Sequence, residues 1–251
     1  MRHAFCLLIL GAATPASAHF LQALPDADVL PDGGQVTIDL TFTHPFDGGP
    51  VMEMERPVQV GVMSGGHVTD LQTALTERPV DGAMAWRLNH DLIEPGANVF
   101  YVQPQPYWEP AEQKSIIHYT KVIVDSFASG DGWDQLVGFP VEILPLTRPT
   151  GLWQGNSFTG VVLRDGVPAP FAEIEVEYVN TVGLEAPNDA FVTQVLRTDV
   201  NGTFTYTMPF AGWWGFAALI DGPQTPAPDG TMAGLELGGL IWVHTTAREG
   251  H

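Results

Sequence analysis

Cysteine is nearly absent: Cys6 is the single one among 251 residues. It lies in an apolar N-terminal stretch that has the pattern of a cleavable leader, so a processed chain would contain none. Disulfides, thiolate metal ligands and a cysteine nucleophile are thereby excluded from the processed protein. Any metal site must use histidine, carboxylates, methionine, backbone atoms or the terminal amine. That set suits nickel, cobalt or copper better than a structural zinc.

Basic residues are also scarce. The chain has 10 Lys and Arg against 29 Asp and Glu, a formal net charge of -19. Such an excess of negative charge argues against nucleic acid and anionic membrane surfaces as partners. After the leader, no apolar run reaches the roughly 18 residues of a membrane span, so we expect no stable membrane insertion.

The motifs of common enzyme classes are missing. There is no G-x-S-x-G, no H-E-x-x-H, no P-loop and no dinucleotide-binding glycine pattern. Acid pairs such as Glu173 and Glu175 alternate along a predicted strand, on a face that we expect to be solvated. We therefore expect a protein that is not an enzyme.

Residues 1–18 have the pattern of a secretory signal peptide. Arg2 and His3 form a basic start, residues 4–13 are apolar, and residues 16–18 (Ala-Ser-Ala) form a small-residue cleavage site. Cleavage after Ala18 would make His19 the first residue of the exported protein. Its free α-amine and its imidazole Nδ1 could then chelate one metal ion together.

Short alternating segments separated by turn residues predict an all-β fold. Residues 36–44 place Val36, Ile38, Leu40 and Phe42 on one face, and further strands are predicted at 58–63, 98–103, 115–124 and 137–144. Two prolines at 145 and 149 mark a boundary. We predict two β-sandwich domains: a metal-binding domain at 19–147, and a domain at 148–251 that resembles the transthyretin-like or carboxypeptidase-regulatory, Ig-like module.

Strand parity separates the histidines. His44 continues the apolar face of its strand, and His118 shares a face with Ile116, Val122 and Val124. Both should point inward, where an imidazole needs a hydrogen bond or a metal. Together with His19 they would supply three imidazoles and an amine, which suits a divalent late transition metal. The other histidines are assigned to turns and a chain end (His67, His90 and His251), apart from His244.

A second group of residues is compatible with metal ligation or with the orientation of a ligand. Thioethers and acids follow His44 in a glycine-rich loop, two acids precede the His118 strand, and one histidine in the second domain could cross the domain interface. An acid beside an imidazole can fix the ring's orientation. These candidates are Met52, Glu53, Met54, Glu109, Glu112 and His244.

Longer motifs resemble one family of exported bacterial proteins. They are residues 18–20 (Ala-His-Phe), 42–46 (Phe-Thr-His-Pro-Phe), 106–110 (Pro-Tyr-Trp-Glu-Pro), 118–122 (His-Tyr-Thr-Lys-Val), 132–134 (Gly-Trp-Asp), 142–149, 151–156 and 212–217. That family was long a domain of unknown function and is associated with nickel and cobalt uptake. The resemblance implies a periplasmic protein that delivers Ni²⁺ or Co²⁺ to a membrane uptake transporter, with His19, His44 and His118 as ligands.

Two other functions fit the same sequence. One is a copper-binding protein or copper enzyme with an N-terminal histidine brace, which bound-metal analysis and a test for reductant-dependent oxygen chemistry would distinguish. The other is a non-metal adhesion or assembly module, whose tryptophans Trp153, Trp213 and Trp214 would bind glycan or protein.

Overall fold

The structure is a computed structural model that describes residues 19–248. The predicted signal peptide, Cys6 and His251 lie outside that range. Its strands are β1 (Phe20–Pro25), β2 (Val29–Leu30), β3 (Gly34–Thr43), β4 (Gln59–Ser64), β5 (His67–Asp70), β6 (Leu75–Glu77), β7 (Trp86–Leu92), β8 (Gly96–Gln103), β9 (Tyr107–Glu109), β10 (Lys114–Ser126), β11 (Val141–Pro145), β12 (Leu152–Trp153), β13 (Ser157–Arg164), β14 (Val167–Pro168), β15 (Glu173–Tyr178), β16 (Gln194–Arg197), β17 (Thr203–Thr207), β18 (Gly212–Asp221), β19 (Thr225–Pro226) and β20 (Met232–Thr246).

The all-β class predicted from the sequence is confirmed. Within the described range, helix is limited to two 3₁₀ turns, Gln72–Ala74 and Asp189–Phe191. No helix among residues 19–248 is long and apolar enough to cross a membrane.

Three layers of sheet make up the protein. A small sheet in the order β1-β3-β7-β6 packs on one face of a large sheet whose main path is β16-β15-β18-β20-β10-β8-β4-β5. On the other face lie β11, β13, β14 and β17. Alternate residues of the large sheet therefore enter opposite cores: Leu240 and Trp242 pack in the first, Ile241 and Val243 in the second.

The large sheet runs across the predicted domain boundary. β10, from the first half of the chain, pairs in parallel with β20, from the second half, along Lys114–Val122 and Gly234–Trp242. The two halves thus share backbone hydrogen bonds as well as a core. The division at residue 147 stays a prediction about separate folding units.

Strand parity is observed as predicted for the two central histidine strands. Val36, Ile38, Leu40 and Phe42 are buried on β3, and His118 is buried on β10 with 3% of its surface exposed. His44 follows the last residue of β3 and is partly exposed.

Two expectations about polar segments are wrong. His90 was assigned to a polar turn, but it lies within β7, where Trp86, Leu88 and Leu92 are buried and His90 packs against Phe100. The acidic face of β15 was expected in solvent, but it is buried progressively from Glu173, whose side chain is 40% exposed, to Glu177.

On that face, Glu175 is half-buried and Glu177 is 1% exposed. β15 lies between β16 and β18 of its own half, and the loop after β3 in the first half contacts it through the hydrogen bond from Phe46 N–H to Glu177. Local sequence pattern does not reveal this burial.

A buried ion pair joins the large sheet to the third sheet. Lys121 Nζ on β10 lies 2.6 Å from Glu142 Oε1 on β11, and Lys121 is 1% exposed. The carboxylate also accepts backbone N–H groups of Val137, Gly138 and Phe139. Burial lowers the pKa of Lys121, and the adjacent Glu142 charge opposes that shift.

Candidate metal centre

Two of the three predicted histidine ligands are in direct contact. The imidazoles of His19 and His44 have ring centroids 4.3 Å apart. His44 follows the last residue of β3, and His19 precedes the first residue of β1. The two strands pair antiparallel, with Phe20 opposite Thr43, so the two histidines come together. Trp242 Nε1 fixes β1 to the large sheet by donating to the carbonyl of Leu21 at 2.9 Å.

His118 approaches the same place from the large sheet. Phe42 lies between the histidines, with ring centroids 5.7 Å from His19 and 5.8 Å from His118. His19 and His118 also line one cavity of about 330 Å³. The structure thus brings all three predicted imidazoles to one end of the small sheet.

A carboxylate contacts one ring nitrogen of each of two histidines. His19 Nε2 lies 3.2 Å from Glu109 Oε2, and His118 Nε2 lies 3.5 Å from Glu236 Oε1. A carboxylate accepts, so each contact is made by an Nε2–H, and in the neutral tautomer of such a ring Nδ1 carries the lone pair. Metal-binding histidines are commonly oriented this way by a carboxylate on the other nitrogen.

The free nitrogen of His118 is buried. Nothing in residues 19–248 forms a hydrogen bond with His118 Nδ1. A buried polar atom without a partner costs roughly 1–3 kcal/mol, and a ligand bound to Nδ1 would remove that cost. A metal ion that prefers nitrogen ligands fits that position.

The surroundings of His19 lower the pKa of its imidazole. Burial lowers its pKa, the charges of His44 and His118 lower it further, and Glu109 and Glu112 oppose the change. A lowered pKa leaves the imidazole neutral at neutral pH, as metal binding requires.

Acids surround the shared cavity beside the histidines. Its lining includes Glu112, Glu175 and Glu236, together with Lys114. Lys114 Nζ lies 2.5 Å from both Glu112 Oε2 and Glu236 Oε2. Burial alone would raise the pKa of Glu236, but its contacts with His118 and Lys114 prevail and lower it to about 2. Glu236 is therefore an anion at neutral pH.

The candidate ligands do not form a complete metal-binding geometry in the structure. Among residues 19–248, no three His, Cys, Asp or Glu side chains stand together in a geometry that could hold a metal ion. The donor types present still fit a divalent late transition metal.

The loop after His44 is fixed by the second half of the chain. Glu177 Oε2 accepts the backbone N–H of Phe46 at 3.3 Å, and Asn180 N–H donates to the carbonyl of Pro45 at 3.3 Å. Glu177 also accepts from the hydroxyl of Thr193. Burial raises the pKa of Glu177 to about 7 despite these hydrogen bonds.

Among the second group of candidates, the two acids before β10 lie near the histidines. Glu109 contacts His19, and Glu112 affects His19 electrostatically while pairing with Lys114. Met54 is buried in the core, and Met52 pairs with Phe42 through an isolated β-bridge. Glu53 is exposed and accepts the backbone N–H of Met84 at 2.8 Å.

The last of these candidates, His244, joins the two halves elsewhere. Its Nδ1 lies 3.3 Å from Asp28 Oδ1, and its ring packs on Trp213 at 4.9 Å. The contacts of His244 are thus with these two residues and not with the histidine cluster.

Glu236 was missed by the sequence reasoning. It is the only acid in β20, among glycines and aliphatic residues, which is a weak signal that could have marked it. Its proximity to His118 depends on the β10–β20 register, in which Ile116 is opposite Glu236. His118 and Glu236 are 118 positions apart in the chain.

Fold and site together define an all-β protein of packed sheets with a histidine and carboxylate cluster at the junction of its two halves. The domain-of-unknown-function family DUF4198 matches residues 16–222, and the chain belongs to that family. No curated protein matches the chain.

Solved structures of low similarity include Ig-like and fibronectin-like domains. The D00-D0 domain of Intimin is 11% identical with a TM-score of 0.23, covering 91% of this chain and 100% of that one. A titin Ig tandem, A164-A165, is 10% identical with a TM-score of 0.21, covering 92% and 98%. The fibronectin(III)-like modules of Clostridium thermocellum CbhA are 8% identical with a TM-score of 0.23, covering 93% and 98%.

Proposed function

We propose that the protein binds Ni²⁺ or Co²⁺ through His19, His44 and His118 in the periplasm and delivers the ion to a metal-uptake transporter. The observation that carries the proposal is the pairing of His19 Nε2 with Glu109 and of His118 Nε2 with Glu236, beside a His19–His44 ring contact of 4.3 Å. This arrangement leaves nitrogen lone pairs where carboxylates already orient the rings.

The acidic cavity supports capture of a cation. Its carboxylates would attract a hydrated divalent ion, and the net charge of -19 adds a favourable long-range field. Delivery requires that the ion is also released. The candidate ligands in residues 19–248 are not preassembled in a metal-binding geometry, which is compatible with release. The resemblance of the motifs to a nickel and cobalt uptake family favours those two metals.

Metal titration by calorimetry tests the proposal. Residues 19–251 should bind Ni²⁺ or Co²⁺ at about pH 7.5, where histidine is mostly neutral. His44→Ala and His118→Ala should each weaken binding about tenfold or more, whereas the exposed His67→Ala should not. One extra residue ahead of His19 should also weaken it, because the α-amine becomes an amide nitrogen without a free lone pair.

Equal affinities across these proteins, or no heat with any divalent metal, would contradict the proposal. Affinity should also decrease as pH falls below about 6.5, since protons compete for the imidazoles. Copper will bind such nitrogens more tightly than nickel whatever the biological cargo. The copper alternative is therefore tested by the metal content of protein purified from its own cells and by reductant-dependent oxygen consumption.

The adhesion alternative loses part of its basis. Trp214 is 3% exposed and packs in the core, and Trp213 is partly buried against His244. Trp153 is 51% exposed, so it alone of the three is well placed to contact a glycan or protein. We retain the metal-binding proposal.

A further inference from the structure

A second cavity of about 330 Å³ adjoins His118. Ile116 and His118 line both cavities. This volume is within the range of small-molecule sites, which are concave, mainly apolar and supplied with a few polar groups.

The walls of this second cavity are aromatic and aliphatic. Phe42, Tyr107 and Trp108 supply three rings, with Phe42 and Tyr107 in edge contact at 4.9 Å. Met54 and Ile116 add buried aliphatic surface. Such walls favour a flat or apolar body, and aromatic faces also attract cations.

The charged groups at the cavity are all of one sign. Glu53 and Glu55 line it and are exposed to solvent, and none of its lining residues within the described range is a lysine or an arginine. These two exposed carboxylates, called the negative rim below, would attract a cation and repel an anion.

The imidazole of His118 also lines this cavity. Its Nε2 faces Glu236, and its Nδ1 is buried without a partner in residues 19–248. That lone pair can accept an N–H from a ligand, which an ammonium group provides.

We propose that this cavity binds a small organic cation, specifically an amine carried on an aromatic body. Its ring would pack between Tyr107 and Trp108, and its ammonium would be held by the negative rim and by His118. The amine and the proposed metal ion would share His118, so the amine site is measured in metal-free protein.

Calorimetry on chelator-treated protein of residues 19–251 tests this with matched probes. Tryptamine should bind saturably. Indole-3-propionate, which has the same ring but a carboxylate, should bind about tenfold or more weakly, because attraction at the rim becomes repulsion. Butylamine, which has the charge without the ring, should bind about tenfold or more weakly as well.

Variants locate the binding. Glu55→Gln should weaken tryptamine binding roughly two- to fivefold, as expected for one exposed charge pair, whereas Glu77→Gln, at an exposed position of β6, should leave it unchanged. Trp108→Leu should weaken it roughly fivefold, and Trp153→Leu in the second half should not.

Three results would overturn the proposal: no saturable binding of tryptamine, equal binding of tryptamine and indole-3-propionate, or equal effects of each cavity variant and its control. Because metal is absent, these results leave the metal-binding proposal untouched.

Discussion

Gly238 and His118 are opposite each other in the parallel pairing of β10 and β20, and no side chain fits between them. A Cβ built on Gly238 would lie 2.4 Å from Cδ2 and 3.0 Å from Nε2 of His118. The glycine thus provides the space in which the imidazole faces Glu236. A residue far from His118 in sequence determines its position.

Gly238→Ala should therefore displace the His118 ring and weaken Ni²⁺ or Co²⁺ binding about tenfold or more. Overpacking of this kind also costs about 1–3 kcal/mol of stability, so affinity is compared under conditions where thermal unfolding shows a folded protein. Gly234→Ala on the same strand is the control, because its nearest neighbour would be Lys114 Cβ at 3.7 Å. Equal metal affinity of the two variants would contradict this role of Gly238.

The carboxylates that contact the rings should matter for metal affinity although they are not ligands. Glu109→Gln and Glu236→Gln should each weaken binding roughly 10–100-fold, the usual effect of removing an orienting carboxylate. Glu77→Gln controls for the loss of one negative charge. If all three variants have the same modest effect, the carboxylates act only through the general field of the protein.

Glu177 should make stability depend on pH. Its pKa is raised from 4.5 to about 7 in the folded protein, so the folded state holds this proton more tightly than the unfolded state. This stabilising contribution is fully present below about pH 4.5 and is lost as pH rises to about 7. Glu177→Gln retains an acceptor for the N–H of Phe46 and removes the titration.

Chemical denaturation at pH 5 and pH 8 measures the effect. Between these values the unmodified protein should lose roughly 1–3 kcal/mol more stability than Glu177→Gln, from a shift of this size on a fully buried carboxyl. Glu173→Gln, on the same strand but more exposed, is the control. An identical pH dependence in all three proteins would contradict the assignment to Glu177.

The Lys121–Glu142 pair should be costly to break. Lys121→Ala leaves a buried carboxylate without its cation and should destabilise the protein by about 3–5 kcal/mol. Lys121→Met with Glu142→Gln removes both charges and should recover part of that loss. Full recovery is not expected, because Glu142 also accepts three backbone N–H groups. Equilibrium denaturation of the single and double variants checks the difference.

Many of the strands and their buried faces could be predicted from local sequence pattern, because successive side chains of a strand point to opposite faces. Val36 to Phe42 and Ile116 to Val124 were assigned to the correct faces for that reason. His90 was misassigned because its polar neighbours Asn89 and Asp91 are typical of turns. Burial of Trp86, Leu88 and Leu92 on one face holds this segment in a strand despite those polar residues.

The sequence by itself determined the all-β class, the scarcity of cysteine, the acidic charge and the inward faces of the strands leading to His44 and His118. These depend on composition and on contacts between near neighbours. Only the tertiary structure decided that Glu236 orients His118, that Glu177 fixes the loop after His44, and that a cavity opens beside Trp108. Each depends on pairing between segments distant in the chain, whose register is set by packing of both halves around one sheet rather than by any local pattern.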